Sequence, residues 1–229
     1  MLHRVYTQNI DGLELKAGLH TSLEIHPNHG PARCIPLHGV IEELRCPGCG
    51  SIFMLEPYYP QLIGGQFPEC AKCKQFVSMR VQEGKRMTTV LRLRPNVILY
   101  GEEHTHGEEI ARLQQDDIDV VDFLLVVGTS LKVKGTNAFI KRCSRIIHQN
   151  NPSISDLSPS PRVIYLNDTF TDTATWNNVL DVWLEMDCEE FARLGLNIIQ
   201  EVSDGGDKDG SINQIIGDRK LNYRPSWRS

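Results

Sequence analysis

The stretch that decides the fold is "FLLVVGTSLKVKGTNAFIKRCSRIIHQ", residues 123–149. It begins with a continuous apolar run, Phe123 to Gly128, of the kind that is buried on both faces of a parallel sheet. After a short turn, Phe139, Cys143 and Ile147 recur at helical spacing. A strand followed directly by a helix is the repeating unit of α/β proteins, so this stretch predicts a parallel doubly wound sheet.

The same alternation continues toward the C-terminus. "RVIYLN" (162–167) has the pattern of a second buried strand, and "NVLDVWLEM" (178–186) that of a third. "DCEEFARLGLNIIQ" (187–200) follows as a helix, which Asp187 and Glu190 begin with the spacing of a capping box. These elements extend the predicted α/β sheet.

Near the N-terminus, "LHRVYTQ" (2–8) predicts a strand and "GLELKAG" (12–18) a short helix. The polar residues Gln8, Asn9 and Asp11 lie between them, at a strand-to-helix crossing where open α/β sheets bind ligands. The same residue types are also ordinary helix caps, so the pattern alone leaves both interpretations open.

Composition and charge exclude several classes of protein. The chain has 229 residues, 40% of them apolar, and a formal charge of −5, which suits one substantial domain or a domain with a small module. The mild acidity argues against direct nucleic-acid binding, which requires a basic stripe. The apolar runs are too short to cross a bilayer and no signal sequence is evident, so we expect no membrane insertion and no secretion.

Four of the seven cysteines fall in two C-x-x-C pairs, Cys46 with Cys49 and Cys70 with Cys73. Each pair can hold one metal ion from a tight turn, and two pairs complete a tetrahedral Zn²⁺ site. The alternative is that the cysteines form a redox-active pair or have this spacing by coincidence. The presence of a second C-x-x-C pair argues against that alternative. Four protein ligands leave no position for water, so the zinc is expected to be structural. The segment that follows, 74–90, shows no clear period and predicts an extended excursion.

Two further patterns admit both a functional and a structural interpretation. His38, in "PLHG", is not required as a metal ligand, because four cysteines already complete the metal site. It can act as a general base, or it can simply form a hydrogen bond with the backbone. Gly128, Thr129 and Ser130 end a predicted strand, where they can meet a ribose or phosphate or form an ordinary turn. The sequence contains no G-x-G-x-x-G motif and no P-loop.

Taken in order, "YTQNIDGLE", "LHG", the two cysteine pairs, "LRPNVILYGE" (which predicts a strand), "GTSLKV", "YLN" and "DC" resemble the sirtuin family of NAD-dependent protein deacylases. The fungal nuclear histone-deacetylase branch is the most similar. The resemblance implies a Rossmann-like NAD-binding domain over 1–37 and 91–202, a zinc module with its excursion over 38–90, and a tail over 203–229 that we predict to be mobile. It also implies an acetylated protein partner, preferably a histone tail, and a nuclear location with the cytoplasm as the alternative.

The resemblance assigns roles to individual residues. His38 would accept a proton from a ribose hydroxyl while Asn9 orients the ribose, and the products would be nicotinamide, free lysine and O-acyl-ADP-ribose. The residues implied to bind NAD are Gln8, Asn9, Ile10, Asp11, Gly128, Thr129, Ser130, Asn167, Asp168 and Cys188. The residues implied to bind the acyl-lysine peptide are Ile98, Tyr100, Gly101, Glu102 and Val133, with Tyr100 standing where many relatives have Phe.

The sequence departs from the family pattern at its start. Sirtuins begin with a strand and a Gly-Ala-Gly loop that cradles the NAD pyrophosphate, and this sequence has neither. We therefore expect the 229 residues alone to bind NAD weakly and to turn over poorly or not at all. The alternative function is a catalytically impaired, zinc-stabilised module that binds acyl-lysine proteins.

Overall fold

The structure, a computed structural model, describes residues 2–21, 32–151, 161–169 and 173–203. The chain forms two compact units, Met1–Leu113 and Gln114–Ser229. Within the described ranges, no helix has the length and apolar character needed to cross a membrane. The tail predicted at 203–229 lies, apart from Ser203, outside the described residues.

The first unit opens with the predicted strand and helix, β1 (Val5–Thr7) and α1 (Leu13–Lys16). Strand β1 pairs in parallel with β2 (Cys34–Pro36), with Val5 opposite Cys34. Ile35 on β2 is fully buried and packs with Ala32 and Ile110 in a small apolar cluster. Because the two strands are parallel, the chain segments that leave their carboxyl ends begin at the same edge.

A three-stranded antiparallel sheet makes up the next part of the first unit. Its strands are β3 (Gly39–Arg45), β4 (Ile52–Met54) and β5 (Arg94–Val97), in the order β4-β3-β5. The predicted strand around Pro95 is thus confirmed, and it lies beside β3, where the pairing register shifts between Val40 and Leu44. The division of domains predicted at residues 38 and 91 stays a prediction.

Two helices follow β4: α2 (Tyr59–Ile63), after a 3-10 turn at Glu56–Tyr58, and α3 (Ala71–Gln82). The extended excursion predicted for 74–90 is therefore wrong over its first half. Helix α3 begins at Cys70, whose Sγ accepts a hydrogen bond from the backbone N–H of Cys73 at 3.5 Å. Val77 is the only buried residue of α3. A helix that buries one residue needs no repeating apolar face, so its sequence shows no helical periodicity, and the turn at Cys70 determines where it begins.

Helix α4 (Gly107–Ile118) runs through the division between the units, and the second unit continues with the predicted strand–helix alternation. Its three strands form a parallel sheet in the order β6-β7-β8, which confirms the fold class. The elements are β6 (Leu124–Val127), α5 (Lys134–Asn150), β7 (Val163–Asn167), α6 (Thr173–Trp176), β8 (Val182–Glu185) and α7 (Cys188–Ser203).

Strand β6 does not have the burial that its apolar run predicts. Val126 is 6% exposed and packs in the core with Ile140 and Ile147 of α5, whereas Leu125 and Val127 are 39% and 44% exposed. Alternate residues of a strand point to opposite faces, and the described residues of this unit cover only the face of Val126. The prediction of burial on both faces is therefore wrong.

The start of α7 is capped as its sequence predicts. Asp187 Oδ1 accepts hydrogen bonds from the backbone N–H groups of Glu189 at 2.9 Å and Glu190 at 3.1 Å. These bonds satisfy two amides that have no partner within the helix. The cap fixes the position of Cys188, the first residue of α7, directly after β8.

Candidate active site and metal centre

The four cysteines of the two C-x-x-C pairs come together in the first unit. Cys46 Sγ lies 3.7 Å from Cys73 Sγ, and Cys49 Sγ lies 3.6 Å from Cys70 Sγ. All four sulfur atoms lie within 4.8 Å of one another. Tetrahedral Zn–S bonds of about 2.3 Å place their sulfurs roughly 3.8 Å apart, so the cluster has the dimensions of a zinc site with four cysteine ligands.

A tight turn and a small core hold this cluster. Gly50, at φ 70°, donates its backbone N–H to the Cys46 carbonyl at 2.9 Å, and Cys46 donates its own to Ser51. Cys46 and Cys70 are fully buried and pack with the buried side chains of Leu44 and Leu93. So few buried apolar residues give little hydrophobic stabilisation, which is the situation in which a bound metal supplies the folding energy.

The charges of the thiols also favour a bound cation. Burial raises the pKa of Cys73 to about 12 and raises that of Cys70, whereas hydrogen bonding with Ser51 lowers the pKa of Cys49 to about 6. Burial therefore opposes ionisation of Cys70 and Cys73, whereas Ser51 favours ionisation of Cys49. A divalent metal supplies the positive charge that converts the others to thiolates.

His38 lies in the two-residue connection between β2 and β3. Its Nδ1 is 2.9 Å from the backbone carbonyl oxygen of Gln8. A carbonyl oxygen only accepts hydrogen bonds, so Nδ1 carries the proton and Nε2 of the neutral ring keeps its lone pair. In the neutral ring this is the tautomer that a general base at Nε2 requires. The backbone bond that selects it is also the alternative role considered for this histidine.

The residues between β1 and α1 are fixed by local hydrogen bonds. Asn9 donates its backbone N–H to Thr7 Oγ1 at 3.1 Å, and Ile10 accepts one from Ile41 at 3.0 Å. Asp11 Oδ1 accepts a hydrogen bond from the backbone N–H of Leu13 at 3.2 Å, a local turn contact, whereas the N-cap position of α1 is Gly12 and has no side-chain cap. Because β1 and β2 are parallel neighbours, this segment runs beside His38.

Strand β5 approaches His38 from its other side. The backbone N–H of Ile98 donates to the His38 carbonyl at 2.9 Å, so the structure places a residue expected to bind acyl-lysine next to the expected base. Leu99 to Glu102 then form a turn, closed by Glu102 N–H to the Leu99 carbonyl at 3.0 Å, with Gly101 at φ 82°. Tyr100 stands at the tip of this turn, and its side chain is fully exposed.

An ion pair fixes this turn. Arg94 donates two hydrogen bonds to the Glu102 carboxylate, at 2.6 and 2.5 Å, and the same carboxylate accepts the Leu99 amide at 3.2 Å. The guanidinium holds the pKa of Glu102 down at about 2. Arg94 is a site residue that the sequence alone does not reveal, because only its place before Pro95 and the acid eight residues later hint at the pair.

In the second unit, the expected NAD-binding residues meet at the carboxyl edge of the parallel sheet. The backbone N–H of Gly128 donates to the Leu166 carbonyl at 3.0 Å, and a Cβ added at Gly128 would lie 3.5 Å from Cys188 Sγ. This edge is where open parallel sheets bind ligands. The residues brought there are Gly128, Thr129 and Ser130 after β6, Asn167 and Asp168 at the end of β7, and Cys188 after β8.

Val133, which the sequence places with the acyl-lysine residues, lies at the start of α5. Its backbone is extended, with φ −81° and ψ 115°, and its carbonyl accepts the first helical hydrogen bond from Asn137 at 2.9 Å. It therefore belongs to the second unit, whereas Ile98, Tyr100, Gly101 and Glu102 belong to the first.

Comparisons with known proteins agree on one family. The model of the Sir2 family matches residues 1–135. Among curated relatives, the chain is 36% identical over 207 residues to the NAD-dependent histone deacetylase HST3 of Candida albicans, covering 84% of this chain and 40% of that protein. It is 34% identical over 205 residues to HST3 of Saccharomyces cerevisiae, covering 83% and 43%. The chain thus spans about two fifths of the length of these relatives.

Solved structures show the same fold. The chain superposes on the structure described as "Sir2-p53 peptide-NAD+" with a TM-score of 0.55 at 21% identity, covering 88% of this chain and 62% of that one. A second structure, described as "The Structural basis of Sirtuin Substrate Affinity", matches with a TM-score of 0.54 at 22% identity, covering 83% and 59%. At this level of identity the likeness concerns the fold alone.

Proposed function

Because the chain belongs to the Sir2 family, we propose that it is an NAD-dependent protein-lysine deacetylase with acetylated histones as its preferred substrate. The observation that carries the proposal is the 2.9 Å bond from His38 Nδ1 to the Gln8 carbonyl, because it leaves Nε2 as the acceptor that the reaction requires. The curated relatives named above are histone deacetylases that depend on NAD, which supports the choice of substrate and cofactor.

In the proposed reaction the first unit supplies the proton acceptor. Bound NAD provides an electrophilic ribose carbon with nicotinamide as its leaving group. His38 would take the proton from a ribose hydroxyl through Nε2, and Asn9 would orient the ribose. Gln8, Ile10 and Asp11 would complete the nicotinamide end. The acyl-lysine carbonyl oxygen would form the new bond to the ribose carbon as the bond to nicotinamide breaks, and with one water consumed the products would be nicotinamide, free lysine and O-acyl-ADP-ribose.

The second unit is proposed to bind the adenosine side of NAD. Gly128, Thr129 and Ser130 would meet the phosphate and ribose, Asn167 and Asp168 the adenine ribose, and Cys188 the adenine. Their shared position at the carboxyl edge of β6, β7 and β8 supports this assignment. Small residues with exposed backbone N–H groups are the type that approaches a phosphate closely.

The acyl-lysine peptide is proposed to lie along the turn Leu99–Glu102. Gly101 and Glu102 would pair with the peptide backbone as an added strand, while Ile98 and Tyr100 would contact the acyl-lysine side chain. The same role for Val133, in the second unit, stays a prediction from the sequence. The Arg94–Glu102 pair supports this role, because it uses the carboxylate to hold the turn and leaves Tyr100 fully exposed at its tip.

Zinc is proposed as a structural ion bound by Cys46, Cys49, Cys70 and Cys73. Four sulfur ligands leave no open coordination position, so no step of the reaction passes through the metal. Nuclear histones as substrates imply a nuclear location, with the cytoplasm as the alternative, and no direct contact with nucleic acid is proposed. The Rossmann-like domain is proposed over 1–37 and 91–202, with the zinc module over 38–90.

The test incubates the zinc-loaded chain with an acetylated histone peptide and millimolar NAD over hours. Mass spectrometry then quantifies nicotinamide and O-acetyl-ADP-ribose. We expect one nicotinamide and one O-acetyl-ADP-ribose for every acetyl group removed, even if turnover is slow. A folded, zinc-loaded chain that binds both NAD and the acetylated peptide but never consumes NAD would contradict the proposal and leave a binding module as its function.

A further inference from the structure

The turn between β6 and α5, residues Gly128 to Leu131, has an unusual backbone and is called here the Gly128 turn. Gly128 has a φ of 58° and Leu131 a φ of 54°. Leu131 is the only non-glycine residue with a positive φ in the part of the chain that the structure describes. Leucine rarely adopts this conformation, so contacts around the turn must offset its strain.

Two side chains hold the Gly128 turn. The Tyr165 hydroxyl, on the central strand β7, donates to the Thr129 carbonyl at 2.8 Å. The Asn137 side-chain amide, on α5, donates to the Leu131 carbonyl at 2.6 Å. Leu131 also donates its backbone N–H to Thr129 Oγ1 at 3.4 Å. The turn is therefore tied to a strand at one point and to a helix at another.

Tyr165 also reaches the loop that follows its own strand. Its hydroxyl lies 3.4 Å from the Thr169 carbonyl, which accepts the Asn167 side-chain amide at 2.6 Å. The ring is 2% exposed, and burial together with the nearby Asp168 raises the pKa of the hydroxyl, so it stays a donor at neutral pH. One hydroxyl group thus contacts both the Gly128 turn and the segment 167–169 at the end of β7.

From this arrangement we propose that Tyr165 and Asn137 are positioning residues that hold the Gly128 turn and the segment 167–169 in the geometry that receives the adenosine side of NAD. The inference rests on the proposed function. Apolar packing does not explain the tyrosine, because phenylalanine would fill the same core volume without the hydroxyl. The hydroxyl is explained by the carbonyl that it restrains.

The test compares Tyr165→Phe and Asn137→Ala with matched controls. Tyr59→Phe changes an exposed tyrosine of the first unit, and Asn150→Ala an exposed asparagine of α5. We expect Tyr165→Phe and Asn137→Ala each to weaken ADP-ribose binding about fivefold to tenfold, as loss of one hydrogen bond does. The KM for NAD should rise by a similar factor with kcat unchanged, and both controls should match the wild type.

A second comparison separates positioning from general loss of structure. Glycine adopts a φ near that of Leu131 without strain. In a Leu131→Gly background, Asn137→Ala should therefore weaken ADP-ribose binding by less than about twofold. Amide hydrogen exchange at Gly128 and Leu131 should speed up in Tyr165→Phe before any ligand is added.

The outcomes distinguish this inference from the proposed function. Unchanged ADP-ribose affinity and unchanged exchange in Tyr165→Phe would overturn the inference while deacetylation stands. A wild-type chain that binds ADP-ribose but removes no acetyl groups would overturn the proposed function. The ADP-ribose affinities of Tyr165→Phe and Asn137→Ala would still decide the inference. A wild-type chain without affinity for ADP-ribose would overturn both.

Discussion

Gly39 lies against the backbone of Asn96, so closely that a Cβ added to it would overlap the Asn96 carbonyl oxygen. Its φ of 79° is also one that side chains rarely allow. The contact lies where β3 leaves His38 and meets β5. The glycine after the proposed base is therefore required by the approach of two strands.

Replacing Gly39 with alanine should destabilise the first unit by about 2–4 kcal/mol, because a backbone atom cannot move aside for the new Cβ. The matched change Gly135→Ala, within α5, meets nothing within 4 Å and should stabilise the second unit by about 0.5–1 kcal/mol. The temperature at which each variant releases zinc to a coloured chelator measures the first unit, so it should fall for Gly39→Ala and stay at the wild-type value for Gly135→Ala. Equal release temperatures for Gly39→Ala and wild type would contradict the clash.

Removal of one zinc ligand should unfold the metal module. Purified chain should carry one Zn²⁺, and Cys46→Ser should carry none and lose the β4-β3-β5 sheet, because the buried cluster has little other core. Cys143→Ala, a buried cysteine of the second unit, is the control and should keep its zinc. Metal analysis that finds no zinc in folded wild-type protein would contradict this prediction.

Glu102→Gln should destabilise the turn that carries Tyr100, and the effect should depend on pH. The pKa of Glu102 is lowered from 4.5 to about 2 by Arg94, so its stabilisation is complete above about pH 4.5 and is lost as the pH falls toward 2. The measurement is the difference in urea midpoint between wild type and variant. It should stay constant from about pH 7 to 5 and narrow below 4.5.

The neighbouring Glu103→Gln serves as the control for this series, since it removes the same charge beside the same turn. Its midpoint should follow that of the wild type at every pH. A gap between wild type and Glu102→Gln that widens on acidification would show that the carboxylate does not stabilise the turn in its charged form.

Much of the fold could be predicted because its signals are local. The apolar runs that form β6 and β7, the helical spacing in α5 and the Asp187 cap all lie within a few residues of chain. The spacing of the cysteines likewise predicts the metal site. Helix α3 could not be predicted in the same way, because its start depends on a turn at Cys70 and its exposed faces carry no period.

The features of the site that the sequence did not predict are contacts between distant residues. The proton on His38 Nδ1 is set by Gln8, 30 positions away, and the Gly128 turn is tied down by Tyr165, 36 positions from Thr129. The exposure of Leu125 and Val127 likewise depends on which elements cover β6. The sequence does not indicate which distant residues come into contact in the fold.

The most direct test of the central claim is nicotinamide release by His38→Ala, measured with the acetylated histone peptide and NAD. We predict a loss of about 10²–10⁴-fold relative to wild type, with zinc content and ADP-ribose affinity unchanged, because the substitution removes only the proton acceptor. His3→Ala, which changes an exposed histidine near the N-terminus, should release nicotinamide at the wild-type rate. Release by His38→Ala at the wild-type rate, matched by loss of acetyl groups, would show that His38 is not the base and would contradict the account.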